Sequence, residues 1–209
     1  MASDPRPGSE YDEFFPVRPE DEPAASDALV VRQAFRRAAA PYLASPLSWL
    51  AWSLLLPAAA VLSPAFFRAG REGGVVLLWS MAILIGSAVE GALILRARRR
   101  GAGSPLGSWA MRLQGNLSLV AAVLSALLLW LGAPELLPGL WLLLSGHSFF
   151  ALGGLAFPPM RQAGLIYQLG GLAALIPGGQ PLLAFAVATL VGNLWIARGV
   201  ARAARPDTR

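Results

Sequence analysis

The chain has no cysteine and no lysine, and only one histidine. Without Cys there is no disulfide framework, no thiolate zinc site and no cysteine nucleophile. A lone His cannot give bis-imidazole haem ligation, and no Cys or Asp falls inside an apolar stretch to complete a metal set with it. No metal, no cofactor and no enzymatic activity are therefore expected. All 17 basic residues are Arg, which reflects codon usage more than chemistry. Charge is scarce as well: charged residues make up 14% of the chain against 56% hydrophobic, far from the balance of a soluble domain.

What fills the chain instead is six apolar stretches, at residues 41–67, 73–95, 113–133, 136–158, 162–177 and 180–197. Four of them reach the roughly 20 residues that carry an α-helix across a hydrocarbon layer of about 30 Å; the last two are shorter and need tilt or neighbours. The expected fold is all-α: a polytopic membrane protein with a six-helix transmembrane domain over residues 41–198 and a basic C-terminus at 199–209. Arginine is distributed unevenly between the stretches. Arg32, Arg36, Arg37, Arg96, Arg98, Arg99, Arg100, Arg112, Arg161, Arg198, Arg202, Arg205 and Arg209 fall on one set of connections, with only Arg68 and Arg71 on the other. That asymmetry places both termini in the cytoplasm. The net charge of +5 is accordingly read as headgroup contact and orientation, with no nucleic-acid partner.

The first 40 residues differ in kind. Residues 1–28 hold eight of the twelve acidic residues and five prolines, too little apolar surface to fold alone, so residues 1–26 are expected to be a disordered acidic tail. It lacks the pattern of a cleavable signal peptide, so the first apolar stretch is the expected targeting signal. Tyr11, Phe14 and Phe15 sit among Glu10, Asp12 and Glu13, a pattern that fits a basic, apolar groove or a cytoplasmic protein partner; the plainer reading is a solvated tail. Residues 27–40 take helical periodicity, with Val30, Val31, Ala34, Phe35 and Ala38 on one side and Arg32, Gln33, Arg36 and Arg37 on the other. Such an amphipathic helix either lies on the inner leaflet, its arginines on anionic lipid, or packs on the protein's own loops. Arg98, Arg99 and Arg100 are further candidates for anionic headgroups.

Polar residues inside the apolar stretches are expensive unless paired. Glu90 lies six residues before Arg96, roughly 9 Å below the boundary by helical rise. Arg112 and Asn116 share a face in the third stretch, Gln168 sits six residues into the fifth, and Asn193 five residues before Arg198. These five share a depth and are expected to form one layer. It is either structural, with a Glu90–Arg112 ion pair and amide hydrogen bonds, or functional, with Glu90 binding a proton, cation or amine. His147 falls mid-span in Gly146-His147-Ser148, too close to Ser148 for a Ser/His dyad, since adjacent helical residues point about 100° apart. A hydrogen bond to a neighbouring helix or a pH-sensitive gate is expected of it. Three helices plus three would permit an inverted repeat, but the two halves show no convincing residue match.

The run Leu136-Leu137-Pro138-Gly139-Leu140-Trp141-Leu142-Leu143-Leu144-Ser145-Gly146, followed by Gly153-Gly154 and the stretch from Gly164 to Leu175, resembles a family of uncharacterised bacterial multi-pass integral membrane proteins. The likeness covers about residues 80–176, and His147 with the two phenylalanines after it departs from the family's usual small residues. It implies a bacterial inner-membrane location and no activity. The functions left open are a non-enzymatic scaffold or regulatory partner, and a small transporter or ligand-binding bundle centred on Glu90.

Overall fold

The computed structural model describes residues 29–31, 33–35, 43, 45–101 and 105–203. The acidic tail with Tyr11, Phe14 and Phe15, together with Arg32, Arg36 and Arg37, lies outside them. Of the expected juxtamembrane helix, residues 29–31 and 33–35 are described and are helical.

Among the described residues the protein is all-helical. Its long helices are α1 (Leu47–Arg68), α2 (Glu72–Arg99), α3 (Pro105–Trp130), α4 (Leu137–Ala156), α5 (Pro158–Ala174) and α6 (Pro181–Ala203), with a 3-10 turn at Pro134–Leu136 before α4. Each apolar stretch read from the sequence coincides with one of them. Five are long and apolar enough to cross a membrane; α5, at 17 residues, falls short by its length. The first helix starts later than the apolar composition suggests, because Pro46 supplies no backbone donor at its start and Ser45 Oγ accepts from the Leu47 amide at 3.2 Å.

The helices pack as a row in the order α2, α1, α6, α5, α4, α3, with α4 also touching α6. Half of the apolar window of α6 is buried in the bundle, against 6% of that of α3, so α6 is central and α3 is an edge. Trp49 near the start of α1 meets Ile196, Ala197 and Val200 near the end of α6, while Ala60 meets Phe185, so the two helices run antiparallel, with the start of α1 and the end of α6 at one end of the bundle. The closest pair is α4 with α5. A Cβ on Gly164 would lie 2.5 Å from the Phe150 backbone nitrogen, and one on Gly146 would lie 2.8 Å from the Gly164 carbonyl oxygen. Only glycine lets two backbones approach so closely, and close backbone packing is a main source of helix association in lipid.

A repeat is present, of a different kind from the inverted one considered above. Ala59-Ala60-Val61-Leu62-Ser63 recurs as Ala121-Ala122-Val123-Leu124-Ser125, and the same spacing carries Gly70 onto Gly132 and Leu78-Trp79 onto Leu140-Trp141. The structure repeats with it. The Trp79 indole N–H donates to Ser63 Oγ at 2.9 Å and that of Trp141 to Ser125 Oγ at 3.0 Å. Each serine hydroxyl in turn donates to the carbonyl four residues back, on Ala59 and Ala121, at 2.7 Å. Both hairpins turn on a Schellman cap: the Arg71 amide reaches the Phe66 carbonyl and the Ala133 amide the Leu128 carbonyl, around Gly70 and Gly132 at φ 64° and 72°. The hairpins α1–α2 and α3–α4 are two copies of one unit, run in the same direction, while α5–α6 lacks these features.

Candidate functional site

Of the five residues expected to form one layer, the structure pairs Glu90 and Asn193, each within its own hairpin, and does not join the five by hydrogen bonds among the described residues. In α1–α2, Glu90 is half-buried and its Oε2 accepts from the Trp52 indole N–H at 3.0 Å. One turn before it, Gly86 lies against the Trp52 ring, where an added Cβ would be 2.5 Å from the ring carbons. In α3–α4, Ser148 Oγ donates to Gln114 Oε1 at 2.6 Å. Gln114 stands at the repeat position of Trp52 and Ser148 at that of Gly86, so both hairpins close at the same height with different chemistry. In α5–α6, Tyr167 Oη donates to Asn193 Oδ1 at 3.0 Å, and nearer the chain ends the Trp195 indole N–H donates to Gln162 Oε1 at 2.7 Å.

The expected Glu90–Arg112 ion pair does not form among the described residues. Its two members sit on α2 and α3, the opposite edges of the row, and Arg112 is exposed. Asn116 is exposed too; Gln168 is half-buried beside Gly146, and its side chain makes no hydrogen bond among the described residues. His147 also differs from expectation. It is exposed and without a hydrogen bond among the described residues, because α4 turns Gly146 toward α5 and Ser148 toward α3, leaving the residue between them outward.

The most buried polar pair is Tyr167 with Asn193, which is 2% exposed. Asn193 Nδ2 has no hydrogen-bond partner, the one such buried side-chain atom among the described residues. Tyr167 is held in place by an edge-on Phe149 ring at 5.2 Å, which itself meets Trp49 at 5.8 Å, and by Gly192, which leaves room for the Tyr167 ring. Replacing Tyr167 with Phe keeps this packing and strands the whole Asn193 amide in an apolar interior. A loss of about 1–2 kcal/mol is expected in a reversible denaturant titration in mild detergent, largely restored when Asn193→Leu is added to the same chain. Equal stability of Tyr167→Phe and the parent would mean that the pair contributes nothing to the fold.

The sequence reading missed the aromatic donors Trp52, Trp79, Trp141 and Tyr167. The repeated Leu-Trp at a fixed distance after Ala-Ala-Val-Leu-Ser was the signal that marks two of them. Among the described residues, no group of three or more His, Asp and Glu side chains is placed to hold a metal ion. The chain matches no protein-family model, no curated protein and no solved structure. Its functional reading therefore rests on its own geometry.

Proposed function

We propose that this protein is a non-enzymatic scaffold or regulatory partner in the bacterial inner membrane, with six membrane helices and both termini in the cytoplasm. The observation that carries this reading is the pairing pattern. Side chains on all six helices are spent on ties inside single hairpins, Trp52–Glu90, Gln114–Ser148 and Tyr167–Asn193 among them, which makes the bundle a rigid support. The groups free to engage other molecules are then the arginine rim and the tail. Eight described arginines, from Arg96 to Arg202, gather at the end where α1 starts and α6 finishes, against Arg68 and Arg71 at the other, which favours that end as the cytoplasmic one. In this reading α5 is the sixth span, short but flanked by α4 and α6. The resemblance over residues 80–176 adds the bacterial inner membrane. Arg32, Arg36 and Arg37, with Arg98, Arg99 and Arg100, meet anionic headgroups. Tyr11, Phe14 and Phe15 recruit a cytoplasmic protein. Affinity purification in mild detergent tests this: deletion of residues 1–26 should leave helical content intact and remove a co-purifying protein. An unchanged set of co-purifying proteins would count the tail out as the recruiting element.

One observation favours the alternative, a transporter or ligand-binding bundle with Glu90 as a proton, cation or ligand site. Its carboxylate is half-buried, its one hydrogen bond comes from a neutral indole, and no cationic side chain pairs with it among the described residues. Glu90→Gln separates the two readings, because the amide oxygen still accepts from Trp52. The scaffold reading predicts a stability change below about 1 kcal/mol and identical proton and cation fluxes in proteoliposomes of parent and variant. A flux present in the parent and lost in the variant would establish the alternative.

A further inference from the structure

At the C-terminal end of α2 an open hollow of about 440 Å³ is lined, among the described residues, by Ala92, Leu95, Arg96, Arg99 and Arg100 of the last turns of this one helix. The three arginines stand at i, i+3 and i+4, so their guanidinium groups lie along one helical face, and Ala92 and Leu95 provide an apolar floor one turn below. None of the three is ion-paired among the described residues, and the one carboxylate of the same helical end, Glu90, is engaged by Trp52. The hollow is thus a basic rim over an apolar base, with no carboxylate paired to its arginines among the described residues.

The sequence contains a segment of matching chemistry. Glu10-Tyr11-Asp12-Glu13-Phe14-Phe15 puts three carboxylates and three aromatic rings into six residues. Charge complementarity extends beyond the motif: residues 1–28 carry eight acidic residues against two arginines, whereas the remainder carries fifteen arginines against four acidic residues. We propose that the Glu10–Phe15 segment of the chain's own N-terminal tail docks in the Arg96/Arg99/Arg100 groove, its carboxylates on the guanidinium groups and its rings over Ala92 and Leu95.

The topology permits the contact. The short turn between α1 and α2 makes them an antiparallel hairpin, so the chain enters α1 at the same end where α2 finishes. About 30 residues separate Phe15 from Ser45, and with the short helical part at 29–35 included a tether of that length reaches on the order of 30 Å. Tethering of this kind holds the segment near its groove at an effective concentration in the millimolar range. Anionic lipid headgroups offer the same charge as the tail but lack the aromatic rings that the apolar floor accepts, so in this proposal the tail takes Arg99 and Arg100 from the headgroups assigned to them above and leaves Arg98 to the lipid. A docked tail withholds Tyr11, Phe14 and Phe15 from any other partner. The contact is intramolecular and stands whether or not the tail recruits a second protein.

The absence of cysteine makes the test direct. Pro16→Cys, adjoining the motif, is combined with Ala92→Cys on the groove floor in the full chain, and intramolecular disulfide formation under mild oxidation is timed in phosphatidylcholine nanodiscs. A control chain pairs Pro16→Cys with Arg202→Cys, at the same end of the bundle on α6. Docking predicts that the Ala92 pair closes about tenfold faster than the control. It also predicts that this advantage is lost on adding Glu10→Gln, Asp12→Asn and Glu13→Gln, or in molar salt. Equal rates for the two pairs, or an advantage that survives neutralisation of the three carboxylates, would overturn the proposal. So would loss of the advantage when phosphatidylglycerol is included, which would make lipid headgroups the occupant of the groove in an anionic membrane.

Discussion

Replacing Gly164 with valine is expected to be among the most damaging single substitutions in the helical bundle, lowering stability by about 3 kcal/mol or more. The reason is what surrounds the position. A Cβ there meets the Phe150 backbone nitrogen at 2.5 Å and the Gly146 carbonyl oxygen and Phe150 Cα at 2.8 Å, all backbone or its immediate attachment, none of which can swing aside as a flexible side chain would. Valine therefore has to push α4 and α5 apart along their whole contact. The loss reaches Gly146 against Gln168, Gly171 against Leu143 and Gly139 against Leu175, which are packed on the same close approach. Lipid chains are as apolar as the side chains, so separation is not resisted by water and the full cost is lost packing. Gly91 on α2 is the control, since a Cβ there has nothing within 4 Å. Denaturant titration in mild detergent should show a large loss for Gly164→Val and almost none for Gly91→Val. Similar losses for both would mean that the penalty is a generic effect of valine in these helices.

The contrast between those two glycines shows what was legible in the sequence. Five of the long helices and their approximate bounds follow from apolar length, because a bilayer demands a certain span whatever its neighbours. Counting residues also assigns Glu90, Arg112, Asn116, Gln168 and Asn193 a common depth. Counting along a helix gives one coordinate only. It does not give the order of helices in the row, so nothing in the sequence said that α2 and α3 are opposite edges or that Glu90 is out of reach of Arg112. It does not give the direction a side chain faces either, which is why His147, central by count, is outward in the fold. The aromatic donors were hidden for a different reason. Trp and Tyr count as apolar mass in a hydropathy reading, yet each carries one donor that seeks a partner when withdrawn from water. The duplicated hairpin escaped because a comparison of halves looks for units of three helices, and this unit has two.

That duplication sets up the second large effect. Trp79 and Trp141 occupy the same position of the same unit and make the same hydrogen bond to a serine, but their surroundings have diverged. Trp79 is half-buried, its ring edge-on to Phe185 of α6 at 5.4 Å, and it packs on the central cluster around Ala60 and Phe185. Trp141 is 37% exposed and stands on the outer side of α4 toward α3. Truncating Trp79 to alanine removes the ring that connects the edge helix α2 to α6 and leaves a void that the backbone can close only in part. A loss of about 3 kcal/mol is expected. Truncating Trp141 opens a gap on a face that acyl chains can fill, and about 1 kcal/mol is expected from the hydrogen bond and local packing. In neither variant is the serine stranded, because Ser63 and Ser125 keep their bonds to the Ala59 and Ala121 carbonyls. The pair of alanine variants, measured side by side in the same detergent, isolates context from chemistry. Equal losses would place the energy in the Trp–Ser clasp common to both hairpins and assign none to the contact of Trp79 with α6. A large gap, with Trp79→Phe recovering most of it through the retained ring, would show that the first hairpin has been recruited into the core through Trp79, while the second is joined to the bundle through the glycine face of α4.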